Sequence, residues 1–151
     1  MPVEPVNPKR LPNGSSAFGP GIRSGHSILI VDNGTETDAI VKVIRLRDRD
    51  EQVRNFYVQQ GSKWTANKIP SGRYVLRVAF GRDWNSKAHK FNFRRSFSES
   101  ENFDISETTL VTQNDDGQLT ETKSTKMSIT LHKVLMGNFK SHEINEEDFD
   151  R

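Results

Sequence analysis

Four histidines, His26, His89, His132 and His142, are the first places to look for chemistry in this chain of 151 residues. None stands two or four residues from another beside a carboxylate, the spacing that would turn metal ligands onto one face. His132 falls on the polar side of a predicted strand, next to Leu131. There is no cysteine, which excludes a disulfide framework, a thiol nucleophile and any Cys-based zinc or iron–sulfur site. Serines are plentiful, but no Gly-x-Ser-x-Gly elbow or Ser-x-x-Lys precedes a plausible helix. The expectation is a chain with no catalytic residues, no metal and no cofactor.

Two short motifs invite other readings. "NDDGQ" (114–118) offers Asn114, Asp115 and Asp116 as oxygen donors for calcium, yet the EF-hand spacing and its closing Glu are missing, and Asx turns explain the same residues. "NGT" (33–35) fits the glycosylation triplet and is also a turn signal.

A third stretch is more promising. "GRDWNSKAHKFNFRR" (81–95) sets Arg82, Lys87, Lys90, Arg94 and Arg95 around Trp84 and His89 in a predicted loop. A Trp ringed by cations is a candidate hot spot for a protein partner or an acidic ligand. The same Trp could instead cap the open end of a sandwich, with the charges keeping sheet edges soluble. A second basic set, Lys42, Arg45, Arg47, Arg49 and Arg54, lies on the preceding hairpin. If both sets share one face, they form a positive patch that attracts phosphates or an acidic protein. The formal net charge is only +2, so the composition does not argue for nucleic acid.

The elements that must position these residues read as β-strands. Residues 1–25 hold five of the six prolines and four of the ten glycines, which predicts an extended, mobile arm or linker. From Ser27, short apolar runs alternate with turn signals, the pattern of an all-β antiparallel sandwich of seven to eight strands. "SILIVD" (27–32) and "DAIVKVIRLR" (38–47) flank Asn33-Gly34, a hairpin signal in which positive φ closes the turn. "VRNFYVQQ" (53–60) and "SKWTANKI" (62–69) follow. In "IPSGRYVLRVAFG" (69–81), Pro70 and Gly72 supply a turn, and Tyr74, Leu76, Val78 and Phe80 alternate strictly with their neighbours. That segment is the predicted central strand. "KFNFRRSFSESENFDI" (90–105) changes phase between Phe93 and Phe97, which suggests a bulge. "TTLVTQ" (108–113) and "TKMSITLHKV" (125–134) are expected to form a hairpin, with Met127, Ile129 and Leu131 on one side. The tail is acidic, anchored by Phe139, Ile144 and Phe149, with one helical turn capped by Asn145. The predicted divisions are an arm at 1–25, the sandwich at 26–138 and a tail at 139–151.

The Ile-Pro-x-Gly-x-Tyr-x-Leu hairpin resembles the signature of small bacterial β-sandwich modules of the PEGA and carboxypeptidase-regulatory-like (transthyretin-like) type. With "NGTETDAIVKV" and "SITLHKVLMGN", the chain is similar over residues 26–138 to an uncharacterised bacterial domain often found beyond helical repeats, zinc-ribbon segments or a membrane anchor. The resemblance implies a Greek-key, transthyretin- or Ig-like sandwich and no catalytic residue. No apolar run nears the ~20 residues of a membrane span, and no h-region opens the chain, so no membrane insertion is expected. The expected place is the cytoplasm, unless the chain was trimmed from an anchored or exported protein. The functional expectation is a non-catalytic module that binds a protein partner through loops or an edge strand. The alternative is an enzyme, or a domain that binds an acidic ligand, nucleic acid or carbohydrate through the Trp84 loop.

Overall fold

A computed structural model describes residues 3–114, 117–132 and 141–151. The expectations attached to Asp115 and Asp116, to the end of the 125–134 strand and to Phe139 lie outside the described residues. The fold is all-β. Eleven strands occur among the described residues, more than the seven or eight expected: β1 (Ser27–Asn33), β2 (Asp38–Arg45), β3 (Glu51–Val58), β4 (Lys63–Ile69), β5 (Gly72–Asn85), β6 (Lys90–Ser100), β7 (Phe103–Ile105), β8 (Glu107–Asn114), β9 (Gly117–Ser124), β10 (Lys126–Leu131) and β11 (Ser141–Ile144). A single helical turn, α1 (Glu146–Asp150), follows β11. Asn145 caps it by accepting from the Asp148 N–H at 2.8 Å, as the sequence suggests. Among the described residues no helix is long and apolar enough to cross a membrane.

Two sheets face each other. The smaller has the order β10-β1-β4; the larger has the order β11-β6-β5-β2-β3, with β7 paired to the start of β5. Leu29, Val31, Ile129 and Leu131 from one sheet meet Val41, Val43, Phe56, Leu76, Val78 and Phe80 from the other. Tyr74, Leu76, Val78 and Phe80 are each at most 3% exposed, so the predicted alternation along β5 does define the inner face.

The same strand is buried on its other face, which its alternation does not announce. Val75, Arg77 and Ala79 are at most 6% exposed. The register explains why. Tyr57, Ile40, Ala79, Phe97 and Ile144 form one cross-strand row over five strands of the larger sheet. Leu11, Ala17 and Phe18 of the arm and Phe149 of α1 pack on that row. A half-exposed antiparallel sheet needs one cover; this one has two.

The first 25 residues are extended as their prolines demand, but they lie against the sheet. Gly14 donates to the Tyr57 carbonyl at 2.8 Å and receives the Tyr57 N–H on the Ser15 carbonyl at 3.0 Å, so the arm pairs with the free edge of β3. Ile22 donates to the Val53 carbonyl at 2.7 Å. The glycines serve close approach: a Cβ on Gly21 would stand 2.2 Å from the Val53 carbonyl oxygen, and one on Gly25 2.1 Å from that of Ile69.

Two expected hairpins are replaced by crossings between sheets. β1 pairs with β4 and, in parallel, with β10, whereas β2 pairs with β3 and β5. Gly34 does not use the left-handed region. Instead Asn33 is fully buried and its side chain organises the crossing: Nδ2 donates to the Thr37 and Val58 carbonyls at 2.9 and 3.0 Å, and Oδ1 accepts from Thr35 N–H and Oγ1. The β4–β5 link is likewise a crossing, in which Gly72 takes φ 155° and Tyr74 Oη donates to the Pro70 carbonyl at 2.6 Å. The strand at 125–134 pairs with β1 rather than with 108–113, because β9 intervenes and takes β8 as its partner.

Asn33→Ala leaves two buried carbonyls without this donor, which costs about 1–3 kcal/mol by the usual penalty for an unpaired buried group. Urea unfolding should show a midpoint lowered accordingly; an unchanged midpoint would contradict the role given to this side chain.

Candidate partner-binding site

The Trp84 stretch is not a loop. Strands β5 and β6 continue past Gly81 to a tip at residues 86–89. The pairing slips between Phe80 and Arg82, so the phase break seen in the sequence is a bulge. Gly81 is needed there because a Cβ would sit 2.4 Å from the Phe91 Cβ. Trp84 is 3% exposed, with ring centroids of Phe91, Tyr57 and Phe18 at 5.1, 6.3 and 6.3 Å in edge-to-face contact. Its backbone N–H donates to the Lys9 carbonyl at 2.9 Å. It belongs to the layer under the arm and is not offered to a partner.

The cations predicted around it are divided. Arg82 and Arg94 both pair with Glu4 of the arm, at 3.4 and 3.2 Å, and Arg95 pairs with Glu146 of α1. Lys87, His89 and Lys90 are exposed at the tip, and the His89 ring lies 6.0 Å from that of Phe18. Lys87 joins Lys9, Arg10, Asn85 and Asn92 around an open hollow of about 580 Å³. Among the described residues no group of three or more His, Asp or Glu is placed to hold a metal.

The second basic set does not join the first. Arg45 to Arg49 lie at the end of the larger sheet where β5 begins, opposite the β5–β6 tip. Lys42 is 5% exposed and points to the outer face, where Nζ donates to the Phe149 carbonyl at 2.8 Å between the rings of Phe18 and Phe149. Burial pushes its ammonium pKa down; nearby Asp150 raises it and Arg77 lowers it. Arg54, 4% exposed, donates to the carbonyls of Ile22, Asn67 and Lys68 and so ties the arm and β4 to β3. Arg45 bonds Glu51 through Nε at 3.0 Å and the Ser71 carbonyl at 3.3 Å. Arg47 and Arg49 remain exposed. Lys42, Arg45 and Arg54 hold the scaffold at separate points, and the five side chains form no common patch.

Asp38, which the sequence reading did not single out, fastens the arm. Arg10 donates to both its oxygens at 2.9 and 2.6 Å, Tyr57 Oη donates at 2.6 Å and the Gln60 N–H at 2.8 Å. Burial pushes the Asp38 carboxyl up, but the hydrogen bonds from Arg10, Tyr57 and Gln60 outweigh it and hold the pKa below the usual carboxylate value. No local pattern links Arg10 to Asp38. The only sequence signal was that Leu11 and Phe18 are too apolar for a free arm.

One element offers itself to a partner. β8 and β9 form a separate two-stranded ribbon whose substantial contacts, among the described residues, are between its own strands. Its β9 side chains are all exposed, and Leu110, Val111 and Leu119 are 58%, 50% and 54% exposed. Among the described residues the ribbon is fixed at its base. Ser106 N–H donates to Thr125 Oγ1 and that hydroxyl to the Ser106 carbonyl, both at 3.0 Å, while His26 pairs with Glu107. Two-stranded ribbons are marginal in water without a further surface to cover them. In the larger sheet the arm occupies the edge of β3, and β11 pairs with the second half of β6.

The Asp38 clamp makes arm docking acid-sensitive. Its folded pKa lies below the unfolded value of about 3.9, so its contribution is whole above that value and fades as pH falls through the folded pKa. The stability difference between the chain and Asp38→Asn, from urea unfolding, should therefore shrink from about pH 6 to about pH 3; a constant difference would contradict the clamp.

Comparison of the chain with protein-family models, with curated proteins and with solved structures gives no match, so its own geometry carries the functional reading.

Proposed function

We propose that this protein is a non-catalytic interaction module in which a β-sandwich presents the β8–β9 ribbon to a protein partner by strand pairing. The observation that carries this reading is the ribbon itself: two eight-residue strands with exposed apolar side chains and, among the described residues, no other element packed across them. An unpaired strand edge displays a row of N–H and C=O groups that another strand can complete. The two edges differ in character. β9 carries Glu121 and Lys123, charges that guard an edge, whereas Thr108 to Asn114 of β8 carry none. β8 is therefore the receptive side. The Trp84 stretch is set aside as the contact because that ring is in the interior and its neighbouring arginines hold Glu4 and Glu146.

The test uses the whole chain and a form in which residues 107–124 are replaced by a short Gly-Ser turn joining Ser106 to Thr125. No core residue is removed, so circular dichroism and melting should report an intact sandwich. Used as bait in extracts of the native source, the intact chain should retain proteins that the shortened form does not. Equal recovery by two folded baits would overturn the reading.

A further inference from the structure

We propose that the strand received by β8 is β8 of a second copy, giving a symmetric dimer with a continuous four-stranded sheet. The proposal rests on the strand-pairing reading above and names its partner. Charge is the first ground. Thr108-Thr109-Leu110-Val111-Thr112-Gln113-Asn114 is an uncharged run, free of Pro and Gly and rich in β-branched residues, so it gains nothing from a charged partner strand and meets no repulsion from itself.

Register is the second ground. Asn114 pairs with Gly117 across two intervening residues, and the ladder continues to Glu107 and Ser124. In such a hairpin the closing pair is hydrogen-bonded and the pairs alternate, so Glu107, Thr109, Val111 and Gln113 aim their backbone groups outward. An antiparallel copy can dock only where these outward residues face one another. Centring the twofold axis on Val111 gives three such facing pairs within β8 and leaves Glu107 outside them, whereas an axis on Leu110 gives four. Centring it on Leu110 opposes Thr109 to Val111, Thr108 to Thr112 and Glu107 to Gln113, with no like charges facing. Leu110 then meets its own copy in a non-hydrogen-bonded pair, where side chains are closest.

The exposed side chains agree with this centre. Leu110 faces Glu121 and Leu119 faces Thr112, so both leucines lie on one face of the ribbon. Pairing about Leu110 collects four leucines on one face of the joint sheet. Because the strands run in opposite directions, the base of each ribbon lies at the tip of the other, and the two sandwiches stand at opposite ends of the joint sheet. The contact is isologous and closes as a dimer.

Sedimentation velocity of the purified chain over low to high micromolar concentration tests the proposal. The chain should dimerise. Thr109→Pro, which removes one outward N–H and leaves the β8–β9 ladder intact, should weaken the dimer at least tenfold with melting unchanged. Because the chain has no cysteine, introduced ones report alone. L110C should form a disulfide-linked dimer on mild oxidation, and T112C, which faces Thr108 of the other copy, should not. A chain that stays monomeric throughout overturns self-pairing; ribbon-dependent capture of a different protein in the preceding experiment would leave the strand-pairing function standing. A dimer that survives Thr109→Pro, or that links through T112C and not L110C, also overturns it.

Discussion

The larger sheet is buried on both faces, and most of this molecule follows from covering it twice. β5, the central strand, is buried through Val75, Arg77 and Ala79 as well as through Tyr74, Leu76, Val78 and Phe80. The smaller sheet covers one face in the ordinary manner of a sandwich. The other face has no second sheet available, so it recruits the chain's two ends: Leu11, Ala17 and Phe18 from the arm and Phe149 from α1. Phe149 is 2% exposed, and a fully buried side chain of that size contributes about 1.5–3 kcal/mol or more relative to exposure. Half-buried Leu11 and Phe18 each add a part of that, more than the surface ion pairs nearby. The arm and the helix are held first by that layer, and the polar contacts align them.

The buried charges in that layer serve alignment. Lys42 and Arg77 stand side by side on the outer face, and Glu99 faces Arg77 from β6 at 3.6 Å. Lys42 reaches the Phe149 carbonyl and Arg77 the Arg151 carbonyl, so the C-terminal turn is read by two cations at fixed places. Asp38 does the same for the arm through Arg10. Several cations that look like a ligand-binding surface in one dimension, Lys42, Arg54, Arg82 and Arg95 among them, are fasteners within the fold in three. The ribbon is the exception, a part of the chain that the scaffold holds at its base and does not cover.

What the sequence disclosed, and what it concealed, divides along local and non-local physics. Period-two alternation from Tyr74 to Phe80, the phase break before Phe97 and the Asn145 cap are set by neighbours within a few residues, and each has its counterpart in the structure. The partners of those elements are set by contacts far apart in the chain. Asn33-Gly34 carries hairpin chemistry, but Asn33 uses its amide to bind Thr37 and Val58 across a sheet crossing. The prolines and glycines of the arm have the composition of a linker, because composition does not distinguish a glycine that loosens a chain from one that lets it approach a strand. Gly81 reads as a strand end for the same reason. Only the first strand of the ribbon is legible, as "TTLVTQ" (108–113), and its expected pairing with 125–134 fails because "GQLTETKS" (117–124) has little apolar content to mark it as the strand between.

Residue-resolved hydrogen exchange at neutral pH tests the two-sided burial most directly. If the arm is a layer of the fold, the amides of Gly14, Ile22 and Trp84, which bond Tyr57, Val53 and Lys9, exchange as slowly as those in the body of β5. Exchange of Gly14 and Ile22 at the rate of an unstructured peptide, beside a protected β5, would show that the outer face of the sheet is not covered in this way.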